Sequence, residues 1–207
     1  MPRTATLFIA SFLSTLLLFP FSFAAEAPGP AEAKNVELVG HLNIEGGGMV
    51  EVQNGLAFIG HMKPPFATTI LNVSDPTQPK IVARLKAKPR THSHKARVCG
   101  DLMIVNYEQY SSSKIGYIMS TLFRKPKRVG LGIFDISNSA VPHEVGFFEV
   151  GGINLQNAPA GVHRFEFDCE RSLAYISATE DGYRGNIALI LDLSDPSNPV
   201  EVGRWWL

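Results

Sequence analysis

The sequence predicts an all-β protein, a β-propeller of four-stranded antiparallel blades, because one turn motif and one hairpin pattern recur along the chain. The turn motif occupies residues 70–85, 132–148 and 189–206. In each copy an apolar stretch ends at an Asn or Asp, namely Asn72, Asp135 or Asp192, and a Pro-containing turn and a second apolar stretch follow. Asn and Asp side chains bond nearby backbone N–H groups, and Pro fixes φ. Each copy is therefore predicted to be strand, turn, strand.

The hairpin pattern precedes each turn motif, at residues 46–60, 94–106 and 163–177. Its first half alternates apolar and polar residues, with the apolar positions at Val50, Val52, Ala96, Val98, Phe165 and Phe167. A period of two is typical of a half-buried strand. Four strands recurring every 40–60 residues or so indicate propeller blades. The alternative is a two-sheet sandwich of about a dozen strands, which would not require the turn chemistry to repeat.

The first 24 residues have the pattern of a signal peptide. Arg3 precedes an apolar run, and Ser22 and Ala24 place small residues at the positions that a signal peptidase inspects. An uncleaved membrane anchor is the alternative, but Pro20 interrupts the run. Residues 25–36, rich in Ala and Pro, are predicted to be a flexible linker. The mature chain has no second apolar stretch of membrane-spanning length, so we expect an exported protein, periplasmic or secreted, without a transmembrane span.

The predicted propeller comprises residues 37–207. Residues 37–88 hold an opening strand (37–42) and blade 1, residues 89–152 hold blade 2, and residues 153–207 hold blade 3. About three blades fall short of the four to eight that are typical, and the opening strand has no other strands of its own blade. We therefore expect a partial or truncated propeller, or one that another chain closes. Its open edge would favour self-association.

The segment LILDLSDPSNPVEVG, residues 189–203, resembles the LVIVD repeat found in exported prokaryotic β-propellers. The middle unit departs from this pattern at Ser139-Ala140-Val141, where its turn is one residue longer and lacks the Asp-Pro pair. The resemblance implies the fold and export. It does not imply an activity, because most members of the family have no established function. The function expected on this basis is a binding platform for a protein or small-molecule ligand, contacted through loops at the channel mouth.

Three histidines indicate an alternative function, a metal-dependent enzyme. His94 and His163 occupy the same register at the start of the innermost strand of their blades, and His92 lies two residues before His94. Residues i and i+2 of an extended backbone point to one side, so the three imidazoles are expected to converge at the channel. Imidazole nitrogen suits Cu, Fe or Zn. The other possibility is that these histidines are polar groups lining the channel without a metal.

Two carboxylates follow the second strands of their blades. Glu108 and Glu180 are candidates for outer ligands or a general base. A solvated position on the rim is the more common place for such residues, and we expect it for both.

Two cysteines and one insertion complete the sequence features. Cys99 and Cys169 lie at turns of neighbouring blades. Such turns are generally farther apart than the ~7 Å limit for a disulfide, so two free thiols are expected. Residues 106–129 form a long insertion with a predicted short helix at 115–123 and a basic stretch at 124–128. The formal net charge of zero argues against nucleic acid as a partner.

Overall fold

The structure is a computed structural model that describes residues 34–110, 128–151 and 160–207. Every strand of the described residues lies within residues 38–207. Helices are absent from the described residues, which therefore hold no helix able to cross a membrane. The predicted signal peptide, most of the linker, the predicted helix at 115–123 and most of the basic stretch lie outside these ranges.

The described residues form thirteen strands in three antiparallel sheets. Blade 1 is β1 (Gly47–Gln53), β2 (Leu56–His61), β3 (Phe66–Asn72) and β4 (Lys80–Lys86), paired in that order. Blade 2 is β5 (Thr91–His92), β6 (Ala96–Cys99), β7 (Leu102–Gln109), β8 (Gly130–Asp135) and β9 (His143–Glu149), in which β5 and β6 both pair with β7. Blade 3 is β10 (Val162–Asp168), β11 (Leu173–Thr179), β12 (Asn186–Asp192) and β13 (Val200–Trp205). The prediction of an all-β fold of four-stranded blades is confirmed.

The repeated turn motif forms the same hydrogen bond in every blade. The backbone N–H of Ser194 donates to Asp192 Oδ1 at 2.8 Å, and Ser137 donates to Asp135 in the same way. In blade 1 the Ser74 N–H donates to the Asn72 side chain at 3.0 Å. Each strand therefore ends at an Asx turn, as the motif predicts.

The hydrophobic core lies between the blades and divides into two clusters. One joins blades 1 and 2 and includes Phe58 and Ile70 of blade 1 with Met103 of blade 2. The other joins blades 2 and 3 and includes Ile133 and Leu189. Because each sheet has two buried faces only where it has two neighbours, the middle blade is the most deeply enclosed of the three.

Ion pairs also connect the inner strands of the blades. Arg97 on β6 forms a two-pronged hydrogen bond with Glu166 on β10, at 2.8 and 2.9 Å. Its other guanidinium nitrogen lies 3.4 Å from Glu51 on β1. The strand registers place these three residues at equivalent positions. One arginine therefore links the inner strands of all three described blades.

The prediction of two free thiols is wrong, because Cys99 and Cys169 form a disulfide. Their Cα atoms are 5.7 Å apart, within the range that a disulfide requires. The prediction used the general separation of turns on neighbouring blades. Cys99 is the last residue of β6, and Cys169 directly follows β10. These inner strands of neighbouring blades are joined by Arg97 and Glu166, which brings the turns after them close together.

The predicted opening strand, residues 37–42, is also wrong, because these residues form no strand. A strand needs a neighbour to complete its hydrogen bonds. No strand of the described residues pairs with this segment.

Candidate functional site

The candidate site is built on the segment between β5 and β6, which carries His92 and His94. Strand β5 pairs with the end of β7 and sets His92 directly opposite Glu108. The backbone of His94 is held from the other side, because the Met49 N–H of blade 1 donates to its carbonyl oxygen at 2.9 Å. A Cβ on Gly60 would overlap the same backbone. A glycine there lets blade 1 approach close enough to fix this segment.

The carboxylate of Glu108 is the centre of the site. Its Oε2 atom lies 3.3 Å from Nε2 of His92 and 3.8 Å from Nδ1 of His94. Its Oε1 atom lies 2.9 Å from Nδ1 of His163, at the start of β10. The side chain is 2% exposed. One buried carboxylate therefore contacts all three histidines that the sequence analysis singled out.

The rings of the three histidines lie side by side. His92 and His94 are stacked with centroids 5.2 Å apart, and His94 and His163 have centroids 5.4 Å apart. Ligand atoms of His92, His94 and Glu108 all lie within 4.8 Å of one another, and all three residues are buried. The Nδ1 atom of His92 has no hydrogen-bond partner among the described residues. His163 is more exposed and reaches the cluster through Glu108.

The electrostatics favour a neutral imidazole at the centre. Burial, the largest cause, and the neighbouring Lys95 lower the pKa of His94 to about 4, although Glu108 opposes the shift. The ammonium of Lys95 contacts Nε2 of His94 and donates to the carbonyl oxygen of His163 at 2.8 Å. Burial also lowers the pKa of Lys95. The His94 ring is therefore neutral at neutral pH, with a proton on one nitrogen and a lone pair on the other.

This pKa predicts a loss of stability in acid. The unfolded chain binds a proton at His94 near its ordinary pKa of 6.5, whereas the folded chain does so only near 4. Between these values the unfolded state binds more protons, so the free energy of unfolding falls as the pH falls. We expect His94 to account for a loss of about 1–2 kcal/mol across this range. Urea unfolding of wild type and His94→Asn at pH 7 and pH 4 measures it. If the free energy of unfolding fell by the same amount in both proteins between pH 7 and pH 4, His94 would not be the cause of the loss.

Two polar residues of the site were not predicted from the sequence, Asn106 and Lys95. Asn106 accepts from the Lys95 N–H at 3.1 Å and donates to the Val162 carbonyl oxygen at 2.9 Å. It thereby joins the His94 segment to the strand that carries His163. The sequence feature that could have indicated Asn106 is its position at the end of the apolar run LMIVN. We assigned this residue instead to the start of an insertion. The described structure instead continues β7 to Gln109.

The same extension of β7 corrects the expectation for Glu108. A solvated rim position was expected for this residue and for Glu180. Glu108 is instead inside β7 and buried, because β5 and the β10 side of the next blade cover the strand end. Glu180 follows β11 and is partly exposed, consistent with a rim position.

The comparisons with known proteins identify a repeat and no named relative. The LVIVD repeat matches residues 127–150 and 182–206, which cover β8–β9 of blade 2 and β12–β13 of blade 3. No curated protein matches the chain. The matched segments are the outer hairpins, each with its Asx turn, and they lie in sheets of four or five strands. The chain therefore contains two matches to the LVIVD repeat, and its three described sheets are blades of a partial β-propeller.

Proposed function

We propose that this protein binds a divalent transition-metal ion through His92, His94 and Glu108. The observation that carries the proposal is the convergence of three buried ligand atoms within 4.8 Å of one another. Buried carboxylates are costly unless they are paired or coordinate a metal. The ammonium of Lys95 contacts His94 rather than the carboxylate. A bound cation would neutralise Glu108 directly.

The distances suit a small cation. Zinc binds His nitrogen and carboxylate oxygen at about 2.0–2.2 Å, so tetrahedral ligand atoms are about 3.3 Å apart. The His92 and His94 nitrogens lie 3.3 and 3.8 Å from Glu108 Oε2. Small side-chain rotations would therefore complete a coordination sphere without moving the strands.

The chemistry of the ligands narrows the choice of metal. Two imidazoles and one carboxylate form a set used for zinc and for non-haem iron(II), with positions left open for water or substrate. Of the metals expected from the sequence, this favours Zn²⁺ or Fe²⁺ over copper. A metal so held would act as a Lewis acid on a bound oxygen. The half-exposed His163 then holds the second oxygen of Glu108 and fixes the orientation of the carboxylate.

We also propose export to an oxidising compartment. The leader-like residues 1–24 are the sequence argument, and the Cys99–Cys169 disulfide supports it, because disulfides persist outside the reducing cytosol.

A metal titration tests the proposed function. We expect chelator-treated wild type to bind about one equivalent of Zn²⁺ or Fe²⁺ in anaerobic calorimetry, and His94→Ala to weaken that affinity at least about tenfold. His143→Ala is the matched control, because His143 is exposed on β9 and belongs to the same blade. It should bind as wild type does. A folded wild-type protein that takes up neither metal at millimolar concentration would overturn the proposal.

A binding platform is the second candidate function. The specific observation in its favour is the exposed apolar surface of blade 3, which includes Trp205 and Trp206. Such patches on a soluble domain mark interaction sites. A metal-free protein that retained a ligand on this surface would favour the platform over the metal centre.

A further inference from the structure

A cavity of about 350 Å³ lies between blades 1 and 2. Its apolar lining includes residues of both blades, namely Ala83 and Leu85 of β4, Tyr107 of β7 and Phe134 of β8. Lys88, which follows β4, and Glu144 of β9 line it as well. Small-molecule sites are clefts of roughly 300–1,000 Å³ that are mostly apolar and carry a few polar groups. The cavity therefore has the size and the composition of such a site.

Smaller side chains in blade 1 leave this space open. The outer strand pairs of blades 1 and 2 contain a bulge at the same position, and counting from it makes Leu85 of β4 equivalent to Phe148 of β9. Thr68 pairs with Leu85, and Leu131 pairs with Phe148. Leu131 and Phe148 pack in the core between blades 2 and 3. Because threonine and leucine are smaller than leucine and phenylalanine, the equivalent volume between blades 1 and 2 is incompletely filled.

Lys88 places an ammonium group at this cavity. Its Nζ atom lies 4.8 Å from the centroid of the Tyr107 ring and 4.9 Å from that of Phe147, and both rings attract a cation through their faces. The same Nζ donates to Oε2 of Glu144 at 2.5 Å, which uses one of the three N–H donors of an ammonium group. The ammonium is therefore held in place and can donate to a further acceptor.

The charges around the cavity favour an anion as the ligand. Arg128 lies 3.3 Å from the second oxygen of Glu144, so two cations neutralise this carboxylate. Arg84 and Lys86 also line the cavity, and cations are in excess there. A cationic ligand would have to displace Lys88 from Glu144, whereas a carboxylate accepts from Lys88 without breaking that pair. A dianion would be repelled more strongly by Glu144 than a monoanion, because Coulomb energy rises with charge.

We propose that this cavity binds a small monocarboxylate with an apolar body, such as an aromatic acid. Its carboxylate accepts from the Lys88 ammonium, and its apolar part packs against Leu85 and Phe134. Both of these side chains are buried, which suits the apolar part. Lys88 and Glu144 are 17% and 26% exposed, so a ligand reaches the charged end from solvent.

Benzoate, benzamide and acetate test the charge and the apolar body separately. We expect chelator-treated wild type to bind benzoate saturably in an NMR titration. Benzamide has the same shape without the charge, and acetate lacks the ring, so each should bind at least about tenfold more weakly. The chelator removes any metal ion to which a carboxylate could bind. Equal affinities for benzoate and benzamide, or no saturable binding of benzoate at millimolar concentration, would overturn the proposal.

Two variants locate the benzoate in this cavity. Leu85→Phe introduces the side chain that blade 2 has at the equivalent position, so we expect it to fill the cavity and abolish benzoate binding. Lys88→Met removes the ammonium and should weaken benzoate at least about tenfold, with benzamide unaffected. Lys80→Met is the matched control, because Lys80 is exposed at the start of β4 and does not line the cavity. It should bind benzoate as wild type does.

Far-UV circular dichroism checks that each variant is folded. The two variants act independently, since one changes the volume of the cavity and the other its charge. Wild-type affinity for benzoate in either folded variant would place the ligand elsewhere and overturn the proposal.

Discussion

Replacing Glu108 with glutamine is expected to weaken metal binding by at least about a thousandfold, roughly 4 kcal/mol. The substitution keeps the shape of the side chain but removes the negative charge that contacts His92, His94 and His163. The ammonium of Lys95, which contacts His94, would then repel a bound cation without the opposing carboxylate. In a buried site this repulsion is weakly screened. The loss should therefore exceed that of His94→Ala, which removes a neutral ligand.

Glu180→Gln is the matched control for this prediction. It makes the same chemical change on the neighbouring blade, at a position that is partly exposed after β11. We expect it to bind metal as wild type does. Calorimetric titration at constant pH measures both variants, and far-UV circular dichroism checks that each is folded. A Glu108→Gln protein with wild-type affinity would show that the carboxylate is not a ligand.

The fold was predictable because its determinants are local. Asn72, Asp135 and Asp192 each form a turn with a serine two residues later, and a local hydrogen bond of this kind leaves a readable pattern. The exposure of Val50 and Val52 was not predictable, since the alternation gives the face of a strand and not what covers that face. Blade 1 has no preceding blade among the described residues, so that face is exposed.

The candidate site was predictable in part. The register of His94 and His163 follows from repeated strands, so their approach was expected. The position of Glu108 depends on where β7 ends, and the end of a strand is poorly marked when its last residues are polar. Asn106, Glu108 and Gln109 look like a loop in sequence. They are buried within β7 because β5 pairs with its end and the segment from Ala160 to Val162 covers it.

Removing the disulfide is expected to lower the free energy of unfolding by about 4 kcal/mol. Cys99 and Cys169 are separated by 70 residues, and closing a loop of that length restricts the unfolded chain by about this amount. Urea unfolding of the Cys99→Ala/Cys169→Ala variant against oxidised wild type measures the difference. Reductant should lower the stability of wild type towards that of the variant and leave the variant unchanged. Two titratable thiols in denatured, unreduced wild type would contradict the disulfide.

The same variant tests whether metal binding depends on the disulfide. Cys99 and Cys169 lie at the far ends of β6 and β10 from His94 and His163. The site is held by other contacts, including the pairing of His92 with Glu108. We therefore expect the disulfide-free protein, while folded, to bind the same equivalent of metal as wild type. A loss of metal in the folded variant would mean that the disulfide holds β6 and β10 at the spacing that the histidines require.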